Sequence, residues 1–214
     1  MKQHAASRLF GSCVIAGIPL TLILWVTLEL LRSDYNPFRN LLGEYLAGPF
    51  SILGTAAACL LAATFLALLA GLQLSVRPSG FLVASSVLLG VVVISLCVSA
   101  LFPLDATPPD GGRLACAGAG IIHILSPVRF YALLMALLLT LPVAYQRDEQ
   151  WRPLSRVTLL LGVLILALQA GFILAPFYLR GLVQRGIGLV ILAWLVLTAL
   201  RLRQATPSAR GPVA

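Results

Sequence analysis

The sequence predicts an all-α bundle of six transmembrane helices in a single domain spanning residues 1–214. Three observations carry that class. The chain is 60% hydrophobic and only 10% charged, against about 25% charged residues in a soluble domain. Its mean hydropathy is +1.00. Six apolar segments follow one another, at about 10–31, 50–72, 81–101, 121–145, 157–176 and 185–202. Each is long enough to cross about 30 Å of hydrocarbon at about 1.5 Å per residue. An open sheet cannot satisfy its backbone in lipid, so each segment reads as a helix.

The N-terminus, MKQHAASR, starts like a signal peptide. The apolar run from Phe10 to Leu31 is too long for one and shows no small-residue cleavage pattern, so it is expected to be a retained first helix. Pro19 lies inside it and should kink it. Pro49 suits the first turn of the second helix. There Gly54, Ala58 and Ala62 recur every four residues, and Ala63, Ala67 and Gly71 form a second row. Such small residues let helices approach closely. The third helix leaves the membrane at Phe102-Pro103. The fourth carries His123 near its start, Arg129 about 9 Å further in, and an internal Pro142 that should kink it. The fifth repeats the small-residue pattern at Ala167 and Gly171 and places Gln169 near its middle, where it could bridge helices. The tail QATPSARGPVA is polar and expected to fray.

Charge placement predicts sidedness. Lys2, Arg8, Arg77, Arg147, Arg152, Arg156, Arg201, Arg203 and Arg210 fall on one side, and Arg32, Arg39, Arg113, Arg129, Arg180 and Arg185 on the other. The positive-inside bias puts both termini in the cytoplasm. The net charge of +8 is accordingly read as topology signals and anionic lipid headgroups, with no nucleic acid as partner. Cys13, Cys59 and Cys97 lie in apolar helices and Cys116 stands alone in a loop. Without CxxC or Cys/His spacing, neither a disulfide framework nor a zinc site is indicated. No metal or other cofactor is expected. A haem needs two axial ligands, and His4 is on the opposite side from His123.

The polar side chains concentrate on the outer side. Glu29, Asp34, Glu44, Asp105 and Asp110 fall there beside six arginines and His123. Near-balanced charge on short connections suggests groups that pair while partly withdrawn from water. The stretch 102–129 gathers Asp105, Asp110, Arg113, His123 and Arg129 across a Pro/Gly-rich turn. The first outer loop, LRSDYNPFRNLLGEYLAGPF, should turn at Asp34 and Asn36-Pro37, and Asn40–Leu46 could form a short helix with Asn40 and Glu44 on one face. Arg39 and Glu44 then line a polar pocket, or make surface ion pairs with Tyr45 as an aromatic-belt residue. Arg129 would cost about 2.5–3.5 kcal/mol facing lipid, so it should face the bundle or snorkel; Glu29 and Asp105 are candidate partners. In the last outer loop, FYLRGLVQRGIG, Gly181 and Arg185 share a helical face, as a basic lid for an anionic headgroup or as a membrane-surface hinge.

Several of these segments together resemble one uncharacterised bacterial membrane family, catalogued as domain of unknown function 998 (DUF998). The similar stretches are YNPFRNLLGEYLAGPF, FPLDATPP followed by GAGIIH, and GLVQRGIGLVILAWLVLTALRL. The family pattern falls here on Tyr35-Asn36-Pro37, Phe102-Pro103 with Asp105, His123, and Gly181 with Arg185. The resemblance implies the same six-helix layout and a multi-pass protein of the bacterial inner membrane, and brings no activity with it. Many members carry a Ser before the Glu of the first loop, where this chain has Gly43, which weighs against a hydrolase.

Whether the protein is an enzyme is left open. The first reading is a non-catalytic membrane protein that binds a lipid, small ligand or partner in an outer-face pocket, with Tyr35, Arg39, Arg129 and Arg185 as ligand-binding candidates. The second is a membrane-embedded enzyme on a lipid or prenyl substrate. There Asp105 or Glu44 orients His123 as general base and an arginine holds an anionic group. The third is a small transporter; no internal repeat supports it, and a chain this short would need to oligomerise.

Overall fold

The computed structural model describes residues 2–46, 48–101 and 128–205. It shows helices and no strand among them. Six are long and apolar enough to cross a membrane. They are α1 (Lys2–Leu31), α2 (Ser51–Ser75), α3 (Gly80–Leu101), α4 (Val128–Gln146), α5 (Arg152–Leu174) and α6 (Arg180–Gln204). A short 3₁₀ turn, Leu42–Leu46, lies in the long α1–α2 loop, and another, Phe177–Leu179, leads into α6.

Each helix packs on the next in sequence and α6 closes back on α1, so the bundle is a ring. Small residues set the closest approaches. A Cβ on Gly11 would strike the Ala199 carbonyl at 2.8 Å, and one on Gly71 would strike Leu202 at 2.8 Å. Gly54, Ala58 and Ala62 are buried as expected; Ala63 in the second row is exposed. Among the described residues no contact runs along Ala167 and Gly171: both are exposed and no described atom lies within 4 Å of a Cβ built on Gly171. Gln169, expected to bridge helices or line a cavity, makes no hydrogen bond among the described residues. The core runs through Val14, Phe65, Leu68, Leu89, Leu137, Trp151 and Trp194. Ile23, Ile52, Val83, Val87, Ile94 and Leu160 point outward and are 60% or more exposed. An apolar surface this extensive belongs against lipid, and the chain is a multi-pass membrane protein.

Two prolines behave differently from each other. α1 runs as one helix through Pro19. In α4, Pro142 has no N–H to donate and its ring crowds the carbonyl four residues back. The helix relaxes into a π turn over Ala136–Thr140, where the Leu141 N–H donates to the Ala136 carbonyl. The Pro142 carbonyl accepts from Ser155 Oγ on α5 at 2.9 Å. α2 begins at Ser51, not at Pro49: Phe50 takes a left-handed conformation, φ 62°, which for a non-glycine residue costs about 1 kcal/mol.

The start of α1, the end of α6 and the α2–α3 and α4–α5 turns share one end, the termini end. There the Asp148 carboxylate accepts the backbone N–H groups of Arg77 (2.8 Å) and Gln150 (2.9 Å). Trp151 stacks on Tyr145 at 5.0 Å and donates its indole N–H to the Ser75 carbonyl. The opposite end, the loop end, carries residues 32–50 and 175–185.

Candidate functional site

The loop end is built from three segments. The first is the Tyr35-Asn36-Pro37 turn. Asn36 Oδ1 accepts the Phe38 N–H at 2.9 Å, an Asx turn, and the Asn36 carbonyl accepts the N–H groups of Arg39 and Asn40. Asn40 Oδ1 accepts the Asn36 N–H at 2.9 Å, and Asn40 Nδ2 donates to Glu44 Oε2 at 2.6 Å. The expected Asn40–Glu44 pairing is thus present, on a 3₁₀ turn.

The second segment is the start of α6. A Cβ on Gly181 would lie 2.5, 2.6 and 2.8 Å from the carbonyl oxygens of Pro37, Asn40 and Phe38, so only glycine admits the loop this closely. One turn on, Arg185 donates Nη1 to the Pro37 (2.6 Å), Asn40 (3.0 Å) and Gly181 (3.1 Å) carbonyls. Three carbonyls converging in a partly dry site need donors, and the Arg185 guanidinium supplies them. The Leu182 N–H donates to the Phe38 carbonyl at 3.1 Å, and Gln184 Oε1 accepts the Leu42 N–H at 2.7 Å. Glycine followed four residues later by arginine is therefore the seat on which the loop rests.

The third segment is the end of α1. Glu29 Oε1 accepts from Arg185 Nε at 2.8 Å and Nη2 at 2.5 Å, with side chains 26% and 18% exposed respectively. Glu29, a candidate partner for Arg129, belongs to Arg185 instead. Tyr45 is fully buried beneath this pair, which corrects its expected place in an aromatic belt. Its ring lies 5.7 Å from the Arg185 guanidinium carbon and meets Tyr35 edge-to-face at 5.0 Å. Burial pushes the Tyr45 hydroxyl's pKa up, and nearby Arg185 only partly offsets this.

Arg32 locks the loop's other margin. It is 3% exposed, lies 3.9 Å over the Tyr35 ring, ion-pairs with Asp34 at 2.9 Å and donates to the Pro49 carbonyl at 3.3 Å. Hydrogen bonding from Arg32 holds the Asp34 carboxyl below its ordinary range.

Of the site candidates, Tyr35, Arg185 and Glu44 are thus joined in one loop assembly. Arg39 stands at its rim, exposed, its guanidinium 4.7 Å from the Phe177 ring centre. Phe38, Phe177 and Tyr178 are also exposed there, at 52–64%. Arg129 faces the bundle and donates to Ser99 Oγ on α3 at 3.3 Å. Asp105 and His123, with Asp110 and Arg113, lie outside the described residues. Among the described residues no three His, Cys, Asp or Glu side chains gather as a metal site.

The family described as "Protein of unknown function (DUF998)" matches residues 15–201. No curated protein and no solved structure matches the chain.

Proposed function

The chain belongs to this family, and we propose that it is a non-catalytic membrane protein that binds a lipid, small ligand or partner bearing an anionic group at its loop end. One observation carries the reading. Arg39 is an exposed cation steadied by an aromatic face, with no carboxylate partner among the described residues. Phe38, Phe177 and Tyr178 surround that rim with exposed aromatic surface. A guanidinium flanked by aromatics at a membrane surface suits an anionic headgroup whose apolar part stays in the bilayer.

Arg185, Glu29, Tyr45 and Tyr35 act beneath it as scaffold. The Glu29–Arg185 pair fixes residues 36–46 and so fixes where Arg39 stands. With both termini cytoplasmic, as the arginine distribution predicts, this rim faces outward. Arg129 extends polar character into the bundle from the same side.

The catalytic reading depends on His123 oriented by Asp105 or Glu44; His123 and Asp105 lie outside the described residues, and the Glu44 carboxylate is engaged by Asn40. No observation favours it or a transporter.

Gentle extraction of wild type and Arg39→Gln, followed by native mass spectrometry, tests the proposal. A stoichiometric anionic lipid, small anion or acidic partner present in wild type and depleted in the variant supports it. Identical content in both forms refutes it.

A further inference from the structure

A cleft of about 390 Å³ opens at the termini end between α3 and α4, lined by Gly80, Phe81, Ala84, Thr140 and Arg147. We propose that it binds an anionic phospholipid of the leaflet at that end, with the phosphate at Arg147 and an acyl chain along α3.

Four features support this occupant. The lining is apolar apart from Thr140 in the depth and Arg147 at the mouth. From Arg147 to Thr140 the helix rises about 10 Å, so a free phosphate would fill only the mouth while glycerol and chain would fill the rest. A Cβ on Gly80, the first residue of α3, meets no described atom within 4 Å, so the cleft is open at the helix start. The π turn ends at Thr140, which accepts from Ser85 Oγ at 2.7 Å, so the widened turn and this bond fix the cleft's floor.

Charge complementarity selects an anionic headgroup. The Arg147 guanidinium lies 4.7 Å from the centre of the Phe81 ring and is exposed. The Arg77 backbone N–H bonds to Asp148, the residue after Arg147, so a second exposed arginine belongs to the same end of the cleft. Asp148 is 8% exposed, and its two oxygens accept backbone N–H groups. Exposed Glu149 is the remaining acid of that turn, with Arg147, Arg152 and Arg156 near it in sequence. The balance at the mouth is positive.

The test uses the full chain in bicelles of equal phosphatidylglycerol and phosphatidylcholine, with retained lipid counted by native mass spectrometry after dilution into detergent. Wild type retains phosphatidylglycerol selectively. Arg147→Gln lowers that retention about fivefold, the factor for one basic residue near an anionic headgroup. Arg152→Gln, the same charge change outside the cleft, leaves it unchanged. Ala84→Phe fills the groove and abolishes retention with both arginines present. Inorganic phosphate does not displace the lipid. Equal retention of the two lipids, equal effects of Arg147→Gln and Arg152→Gln, or displacement by phosphate overturns the proposal. Arg147 is exposed, so its variant keeps the fold and the test decisive even if Ala84→Phe does not fold.

Discussion

Breaking the Glu29–Arg185 pair should loosen the loop end as a unit. Truncating one member of a fully buried ion pair costs about 3–5 kcal/mol, because a charge is left without its partner. Here the side chains are 26% and 18% exposed, so water recovers part of that and about 2–3 kcal/mol is expected for Arg185→Gln. That variant also strips the cation from the Pro37, Asn40 and Gly181 carbonyls. Glu29→Gln keeps an acceptor oxygen and the side-chain shape, so about 1–2 kcal/mol is expected. The double variant should cost less than the sum of the singles, with a coupling of about 1–2 kcal/mol. Reversible unfolding in mixed micelles, followed by far-UV circular dichroism for all four proteins, measures it. A coupling under about 0.5 kcal/mol would mean the two residues act independently, and the scaffold argument would fail.

Other consequences follow from the same geometry. Gly181→Ala drives a methyl into three carbonyl oxygens and should destabilise by about 1–3 kcal/mol, read by thermal unfolding; an unchanged midpoint would show that the loop is not seated there. Ser155→Ala removes the hydrogen bond to the Pro142 carbonyl beside the π turn and should cost about 1–3 kcal/mol in the same assay. The Asp34 carboxyl sits below its ordinary range, so its contribution is present above about pH 4 and is lost as pH falls through the lowered value. Asp34 is 58% exposed, so the loss is small; a pH series from about 5 to 2 should show it in wild type and not in Asp34→Asn.

Composition and apolar run length were enough to anticipate six membrane-spanning helices, because lipid leaves a polytopic chain few alternatives; the start expected for the fourth, at 121, lies outside the described residues. Helix ends were less legible. α1 begins at Lys2, eight residues before the apolar run, since AASR continues a helix without needing hydrocarbon. α6 begins at Arg180, before the predicted 185, because its first turn docks on the loop. The site was half legible. Gly181 and Arg185 could be singled out by spacing, and Asn40 with Glu44 by a shared face. What they touch could not be read: Arg185 grips carbonyls contributed by Pro37 and Asn40, and backbone acceptors leave no mark on sequence. Tyr45 was misplaced because an interfacial tyrosine and a buried one look alike until the loop's path is known. Ala167 and Gly171 show the converse: a small-residue pattern permits close packing and does not require it.

The account's central claim is that residues 36–46 form a fixed platform seated on α6, from which Arg39 is presented. Amide hydrogen exchange on the full chain in lipid nanodiscs addresses it directly. The N–H groups of Asn40, Leu42 and Glu44, bonded to the Asn36 carbonyl, Gln184 Oε1 and the Leu41 carbonyl, should exchange slowly in wild type. In Arg185→Gln they should speed up together while the core of α2 stays protected. Rapid exchange of all three in wild type would contradict the claim, because an open loop cannot hold a binding rim in place.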